Sequence, residues 1–430
     1  MQGPIDRGGL PEAKRNLPVD ARRVAADLET LAAITEPDRP WTRRSFTPKF
    51  AEGRAWLAER MREAGLDPTI DPGGNLTGRR PGRRSGSGTL MIGSHSDTVP
   101  DGGRYDGTAG VVAGIEVARA LRDQGIELDH DLEIVDFLAE EVSAFGVSCI
   151  GSRAMAGVLP DAWLAREADG RSLRAAMAEV GARVDELAAR SDIRACLELH
   201  IEQGPVLEAE NTAVGIVSSI AGITRIALRV EGRADHAGTT PMDVRDDALV
   251  RAAALVLGIN AEARRRASAG RGHFTATVGE FAIAPGAANV VPSAATLLID
   301  ARASEPGVME DFLDWLRGRI EPNAVFMQII SNNPPSPCDA GLCNALEAAA
   351  NDLGASSRRM VSGAGHDTAW MSRIAPAAMI FVACEGGRSH CPEENARPDD
   401  IAMGAAVLLQ TLLALDAHHA SGSAAGATQS

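Results

Sequence analysis

Between residues 89 and 141 the chain reads strand, helix, strand, and each strand signal runs out into an imidazole or an acid. TLMIG is an apolar run short enough for a fully buried strand. GVVAGIEVARALRDQG carries apolar residues at the three-to-four spacing of a helix, and LEIVDFLAE is the next strand. A unit of this length implies a parallel pair, because parallel strands need a crossover. In open α/β sheets, ligands and catalytic groups collect in the crevice outside the carboxyl ends of the strands. At such ends stand His95 after TLMIG, Glu141 after LEIVDFLAE, His200 closing ACLELH, and His390 a short loop after AMIFVAC. Asp106 lies in the glycine-rich DGGRYDGTAG between the first two. Three imidazoles and two carboxylates suit a pair of borderline divalent ions with one carboxylate bridging. A dinuclear metallohydrolase is the leading reading.

Helical spacing also marks residues near 19–35 and 48–65, and short strand signals alternate with turns through TIDPGGNLTGRR. Between about 218 and 332 the order is strand (ITRIALRVEGR), helix, strand (FTATVGEFAI), strand (ATLLIDARA), helix, strand (AVFMQIIS). That βαββαβ order predicts a ferredoxin-like α+β sandwich. GPVLEAENTAVGIVS and NNPPSPCDAG flank it with linker-like punctuation. The expected architecture is α/β: a catalytic domain of 1–217 and 333–430 with a mostly parallel sheet flanked by helices, interrupted by an inserted domain of 218–332.

A chain of 430 residues buries a large core, and with aromatics at 3% that core must be Ala, Val, Leu and Ile. The net charge of −15 argues against nucleic acid or an anionic membrane as partner and is compatible with cation binding. The six cysteines form no CxxC pair and read as free thiols. Cys391 adjoins His390 and is a candidate thiolate ligand, although imidazole better suits a mixed N/O site. The N-terminal MQGPIDRGGLPEAKR has no apolar h-region, and no run of about 18 apolar residues is evident, so a soluble cytoplasmic protein with a disordered tail from His418 is expected.

Each candidate has a plainer reading. On an extended backbone His95 and Asp97 point to the same side, so Asp97 can take the second ring N–H of a metal-bound His95; it can equally be a turn former. Asp106 can bridge two ions or cap a helix. Glu140 and Glu141 can both serve one site only if the strand stops before them, one as ligand and the other as an unligated base. His200 lies between Glu198 and Glu202 in LELHIEQGPVLE, and His366 in SGAGHD can line the pocket or cap a helix.

Taken in order, GSHSDTVPDGGRYDG, the AEE pair, LELHIEQGPVLE, ADHAGTTPM, NVVP, DAR, SGAGHD and SHCPEE resemble the hydantoinase/carbamoylase branch of the dinuclear-metal aminoacylase and carboxypeptidase superfamily. The likeness runs from about residue 20 to 415. It implies that His95 and His200 hold one ion, Glu141 and His390 the other, with Asp106 bridging and Glu140 as general base. It further implies a homodimer through the inserted domain, in which His236 of the partner subunit reaches the oxyanion. Gln203, Asn289, Arg302 and the Gly365–His366 pair would contact a small carboxylate substrate; an Arg fork suits a carboxylate. Two divalent ions (Zn, Mn, Co or Ni) are the implied cofactors, and the implied reaction is hydrolysis of an N-carbamoyl or related N-substituted L-amino acid. An aminoacylase or dipeptidase, or a non-catalytic binding protein, are the other readings. One departure bears on substrate: many members carry Arg four residues after the base, where this chain has Ala144.

Overall fold

The computed structural model describes residues 18–426, with side chains described through Ala417; MQGPIDRGGLPEAKR and residues 427–430 lie outside them. The chain divides into two compact units. The larger comprises the described residues up to Ser218, then Cys338–Met360, then everything from His366 on; the smaller comprises Ser219–Pro337 and Val361–Gly365.

The larger unit is built on a mixed sheet whose four inner strands, Asp131–Phe137, Thr89–His95, Ile193–Ile201 and Ala377–Val382, lie side by side and parallel. Antiparallel strands extend both edges. Every residue of Thr89–His95 is buried, as expected of a strand covered on both faces. Leu90 and Ile92 alternate with Met91, and Met91 packs with Val135, Cys196, Met155 and Met371 on one face. On the other face Ile92 and Ile134 press against Gly114 of the helix Thr108–Asp123. That helix is the anticipated crossover.

GPVLEAENTAVGIVS is not a linker. It holds a short helix, Val206–Glu210, and a strand, Val214–Ile220, that pairs antiparallel with Ala377–Val382. Its buried Val214, Ile216 and Val217 supply the apolar surface that outweighs the turn signals of Gly204-Pro205 and Asn211. The helix Pro398–Gly426 runs into the tail expected to be disordered, the last four residues of which, 427–430, lie outside the described residues. Its mean hydropathy of 1.5 over 18 residues approaches that of a membrane span, but 67% of that window is buried. Ile401, Met403, Val407 and Leu408 have almost no exposure, and the helix packs on Thr108–Asp123 and Ala340–Asp352; a helix apolar nearly all round belongs in a core.

The smaller unit has a four-stranded antiparallel sheet in the order Phe274–Ala284, Ala294–Ala303, Gly222–Glu231, Val325–Asn333. With helices Ala248–Ala267 and Pro306–Arg317 between its strands, this is the ferredoxin-like arrangement. Ile226, Leu228 and Val230 alternate into one core with Leu297, Ile299, Ile259 and Phe312. Asp247 caps the first helix by accepting the N–H groups of Leu249 and Val250.

Candidate metal centre

The inner strands bring their downstream ends level. His95 stands opposite Phe137 in one parallel pair, and His200 opposite Phe381 in another. The two imidazoles, both buried, have ring centroids 5.7 Å apart. His95 Nδ1 lies 3.0 Å from the Asp97 carbonyl and His200 Nδ1 2.9 Å from the Ile201 carbonyl. A carbonyl only accepts, so both rings carry the proton on Nδ1 and turn Nε2 toward the interior as a donor of electrons. The Gly107 N–H pointing at His200 Nε2, at 3.2 Å, agrees with that tautomer.

Asp106 meets these nitrogens from the glycine-rich loop. Its Oδ1 is 3.1 Å from His200 Nε2 and 3.5 Å from His95 Nε2, while its Oδ2 is 3.0 Å from His390 Nε2. His390 Nε2 is also 3.1 Å from Glu141 Oε1. Two sets of potential ligand atoms result, His95/Asp106/His200 and Asp106/Glu141/His390, each within 4.8 Å, and Asp106 gives one oxygen to each. The glycines make this approach feasible. A Cβ on Gly107, whose φ is 63°, would come within 2.4 Å of the His95 ring, and one on Gly102 within 2.5 Å of the Cys391 nitrogen. Cys391 itself belongs to neither set.

The acid pair can serve one site because the strand does stop. Ala139 adopts φ 53°, which ends the extended run after Phe137 and redirects the backbone. Asp97 then anchors the turn: its Oδ1 accepts the Glu140 N–H at 3.1 Å and its Oδ2 the Glu141 N–H at 3.2 Å. That differs from the anticipated carboxylate–imidazole bond. The Asp97 carboxylate is 3.7 Å from His95 Nδ1, and its backbone carbonyl orients the ring instead. Glu140 joins neither ligand set. Its Oε2 stands 3.6 Å from His95 Nε2 and its Oε1 accepts the Cys149 thiol at 3.5 Å.

At Asp106 burial is outweighed by the His200, His390 and His95 imidazoles, which hold the carboxyl well below its ordinary value, whereas two neighbouring acids are raised. Burial pushes Asp97 up to about 7, against the His95 imidazole and with help from Glu141. Burial pushes Glu140 well above its ordinary value as well, with Glu141 adding to it against His95. In return, hydrogen bonds to Asp106 and then Glu141 lift His390 to about 11. The donor set therefore demands positive charge, and imidazole nitrogens with carboxylate oxygens are what a borderline divalent cation prefers. The residues fit such ions.

Of the other candidates in the larger unit, Gln203 donates from Nε2 to Asp106 Oδ2 at 2.6 Å, while its buried Oε1 has no hydrogen-bond partner among the described residues. His366 is buried edge-on against His200, centroids 4.6 Å apart. Ala144 is exposed on the loop after the acid pair. Glu202 caps the helix Val206–Glu210 by accepting two backbone N–H groups, and Glu198 is a buried acceptor for Ser94 and Thr368. In the smaller unit, His236 and Asn289 lie on adjoining exposed loops, joined by the Ala237 N–H to the Asn289 carbonyl at 2.9 Å. Arg302 grips Asp300 Oδ1 at 2.7 Å and donates to the Gly363 carbonyl at 2.8 Å, two residues before Gly365.

Sequence reasoning missed Ser389 and Glu394. Glu394 Oε1 accepts the N–H groups of Tyr105 (2.7 Å) and Asp106 (3.0 Å), and the Ser389 hydroxyl lies 2.9 Å from Asp106 Oδ2. The only sequence signal was a second Glu-Glu pair in SHCPEE, which reads as solvated surface.

The sequence profile of Peptidase family M20/M25/M40 matches residues 91–414. An N-carbamoyl-L-amino-acid amidohydrolase of Paenarthrobacter aurescens is 36% identical over 408 residues, covering 92% of this chain and 98% of the relative. A ureidoglycolate hydrolase of Oryza sativa subsp. japonica is 34% identical, covering 94% and 86%. Among solved structures, an amidase of the hydantoinase/carbamoylase family from Burkholderia multivorans superposes with a TM-score of 0.84 at 34% identity, covering 92% of this chain and 98% of that one. Hydrolases of this kind are metal-dependent, and the strand-end imidazoles and acids supply candidate ligands. The chain belongs to Peptidase family M20/M25/M40 and, within it, is a hydrolase of the hydantoinase/carbamoylase amidase type.

Proposed function

We propose that this protein hydrolyses a C–N bond of a small ureido acid, an N-carbamoyl L-amino acid or a close analogue, at a centre of two divalent ions. The observation that carries the reading is Asp106 giving one oxygen to each of two ligand sets, with the unligated carboxylate of Glu140 beside them. His95 and His200 would hold one ion, Glu141 and His390 the other, and Zn, Mn, Co or Ni would all suit these donors. When bound, the ions supply Lewis acidity and make a water acidic enough to be a nucleophile near neutral pH. Glu140 takes that water's proton and delivers it to the leaving nitrogen. Burial supports this role, because a carboxylate pushed upward holds a proton more firmly than an exposed one.

Arg302, Asn289 and Gln203 are assigned to the substrate's carboxylate and its neighbours, and the Gly365–His366 pair to the pocket. His236 is assigned to the oxyanion. Its Nδ1 accepts the Gly238 N–H at 3.0 Å, which leaves Nε2 as the N–H donor an oxyanion needs. A homodimer through the smaller unit is part of the proposal. Met242, Val250 and Leu257 are 77%, 66% and 72% exposed there and offer apolar side chains that such an interface would cover. The six free thiols fit a reducing cytoplasm.

Relatives named for N-carbamoyl amino acids and for ureidoglycolate share the ureido group, so the reading commits to that group rather than to one side chain. The test is turnover of N-carbamoyl amino acids, ureidoglycolate, allantoate, N-acetyl amino acids and dipeptides, each with several added metals. It is followed by ammonia release for the ureido compounds and by release of a free amino group for the N-acetyl compounds and dipeptides. Turnover of at least one ureido compound with none of the N-acetyl compounds or dipeptides is expected. The reverse pattern would establish an aminoacylase or dipeptidase instead.

A further inference from the structure

The segment Ser389–Asn395 does more than deliver His390. It is fastened to the Asp106 loop at four points. Glu394 Oε1 accepts the Tyr105 and Asp106 N–H groups, the Ser389 hydroxyl sits between Glu394 Oε2 (2.7 Å) and Asp106 Oδ2 (2.9 Å), Arg104 donates to Asn395 Oδ1 at 2.7 Å, and the Gly102 backbone abuts the His390–Cys391 peptide. Trp41 steadies the far side by donating its indole N–H to the Pro392 carbonyl at 3.0 Å.

Glu394 is the one side chain in this clasp that engages both the backbone of Asp106 and, through Ser389, its carboxylate. It is only 1% exposed. A buried carboxylate is costly unless its oxygens are satisfied, so its retention here calls for a purpose. Asp106 has two rotatable bonds, and giving one oxygen to each ligand set demands that both be fixed. Holding the N–H of residues 105 and 106 fixes the backbone, and the Ser389 hydroxyl, its one proton shared between Glu394 Oε2 and Asp106 Oδ2, ties Oδ2 to the same carboxylate.

We propose that Glu394 is a positioning residue that, through Ser389 and the Tyr105–Asp106 amides, holds the Asp106 carboxylate in its bridging orientation. This rests on the two-ion reading of the site. Outer-shell partners of metal ligands typically change affinity about 10–100-fold when removed. Glu394→Ala should therefore weaken retention of Zn²⁺ or Mn²⁺ by about 10–100-fold, measured by competition with a chromophoric chelator on purified protein of native circular dichroism. Glu394→Asp, one methylene shorter, keeps the charge but cannot span both partners, and should lose a comparable factor; it carries the test if the alanine variant does not fold. Glu394→Gln can still accept both amides through its carbonyl oxygen and should stay within about threefold of wild type. A folded Glu394→Ala or Glu394→Asp protein with wild-type metal affinity overturns the proposal, as does a Gln variant no better than Ala. If the wild-type protein itself takes up no divalent metal, the two-ion reading fails first, and that result is separate from either variant's.

Discussion

Glu140 and Glu141 are chemically identical neighbours with different assignments, and their difference is made by a single backbone angle. At φ 53°, Ala139 turns the chain so that Glu141 meets His390 while Glu140 remains beside His95 without joining either ligand set. Replacing Glu140 with Gln would remove the proposed base and leave every candidate ligand in place. Glu140→Gln should keep wild-type metal content, by elemental analysis, and lose about 10²–10⁴ in kcat; near-normal turnover would remove it from proton transfer. The sequence made both acids visible as a strand-end pair, because charge after an apolar strand is unusual. It could not show which way each points, since a left-handed alanine has no sequence signature of the kind a glycine has. Asp97 illustrates the same limit. Its place two residues after His95 was readable, but its carboxylate answers the amides of Glu140 and Glu141, groups far away in sequence.

At the scale of elements, the sheet was legible wherever apolar periodicity stood alone and was misread where it competed with turn residues. Val214–Ile220 lies behind Gly204-Pro205 and Asn211, and its place as a strand is decided by burial against Ala377–Val382 rather than by local preference. The last helix is tied to the sheet by a longer-range contact that no local pattern announces. Asp416 accepts the backbone N–H groups of Asp129 and His130, each at 3.0 Å, and the His130 imidazole at 2.7 Å, just before the strand Asp131–Phe137. Burial pushes this carboxyl up, but the Asp129 amide and the His130 contacts outweigh it and hold it below its ordinary 3.8. A carboxyl depressed in the folded state stabilises above its unfolded value and loses that contribution as pH falls through the lowered one. Asp416→Ala should therefore cost about 1–3 kcal/mol at pH 7 in urea unfolding. The gap from wild type should narrow below pH 4. A gap that stays constant down to pH 3 would show that the ionised form is irrelevant to the anchor.

For the molecule as a whole, the proposal makes the active assembly larger than one chain. His236 sits on an exposed loop of the smaller unit with its tautomer set by the Gly238 amide. Subunits carrying Glu140→Gln and subunits carrying His236→Ala are each expected to be inactive. Mixing them should restore up to about a quarter of wild-type activity per site if base and oxyanion donor come from different chains, as random pairing gives half mixed dimers with one intact site each. No recovery after verified exchange of subunits would place both groups in the same chain. The βαββαβ order of the smaller unit's sheet was legible because its apolar pattern is uninterrupted. What remained hidden was the return segment Val361–Gly365, which belongs to the smaller unit although the sequence around it reads as the larger one resuming.

That interruption has a consequence for how the protein comes into being. The four strands of the smaller unit's sheet and the two α-helices between them lie between Gly222 and Asn333, so they leave the ribosome as a continuous piece. Its host at that moment still lacks Ala377–Val382, an interior strand flanked on both sides, and also lacks His390. The guest's sheet and helices can assemble while the host waits with an open seam beside Ile193–Ile201, and the segment Val361–Gly365 and the candidate metal cleft are among the last features the nascent polypeptide can complete.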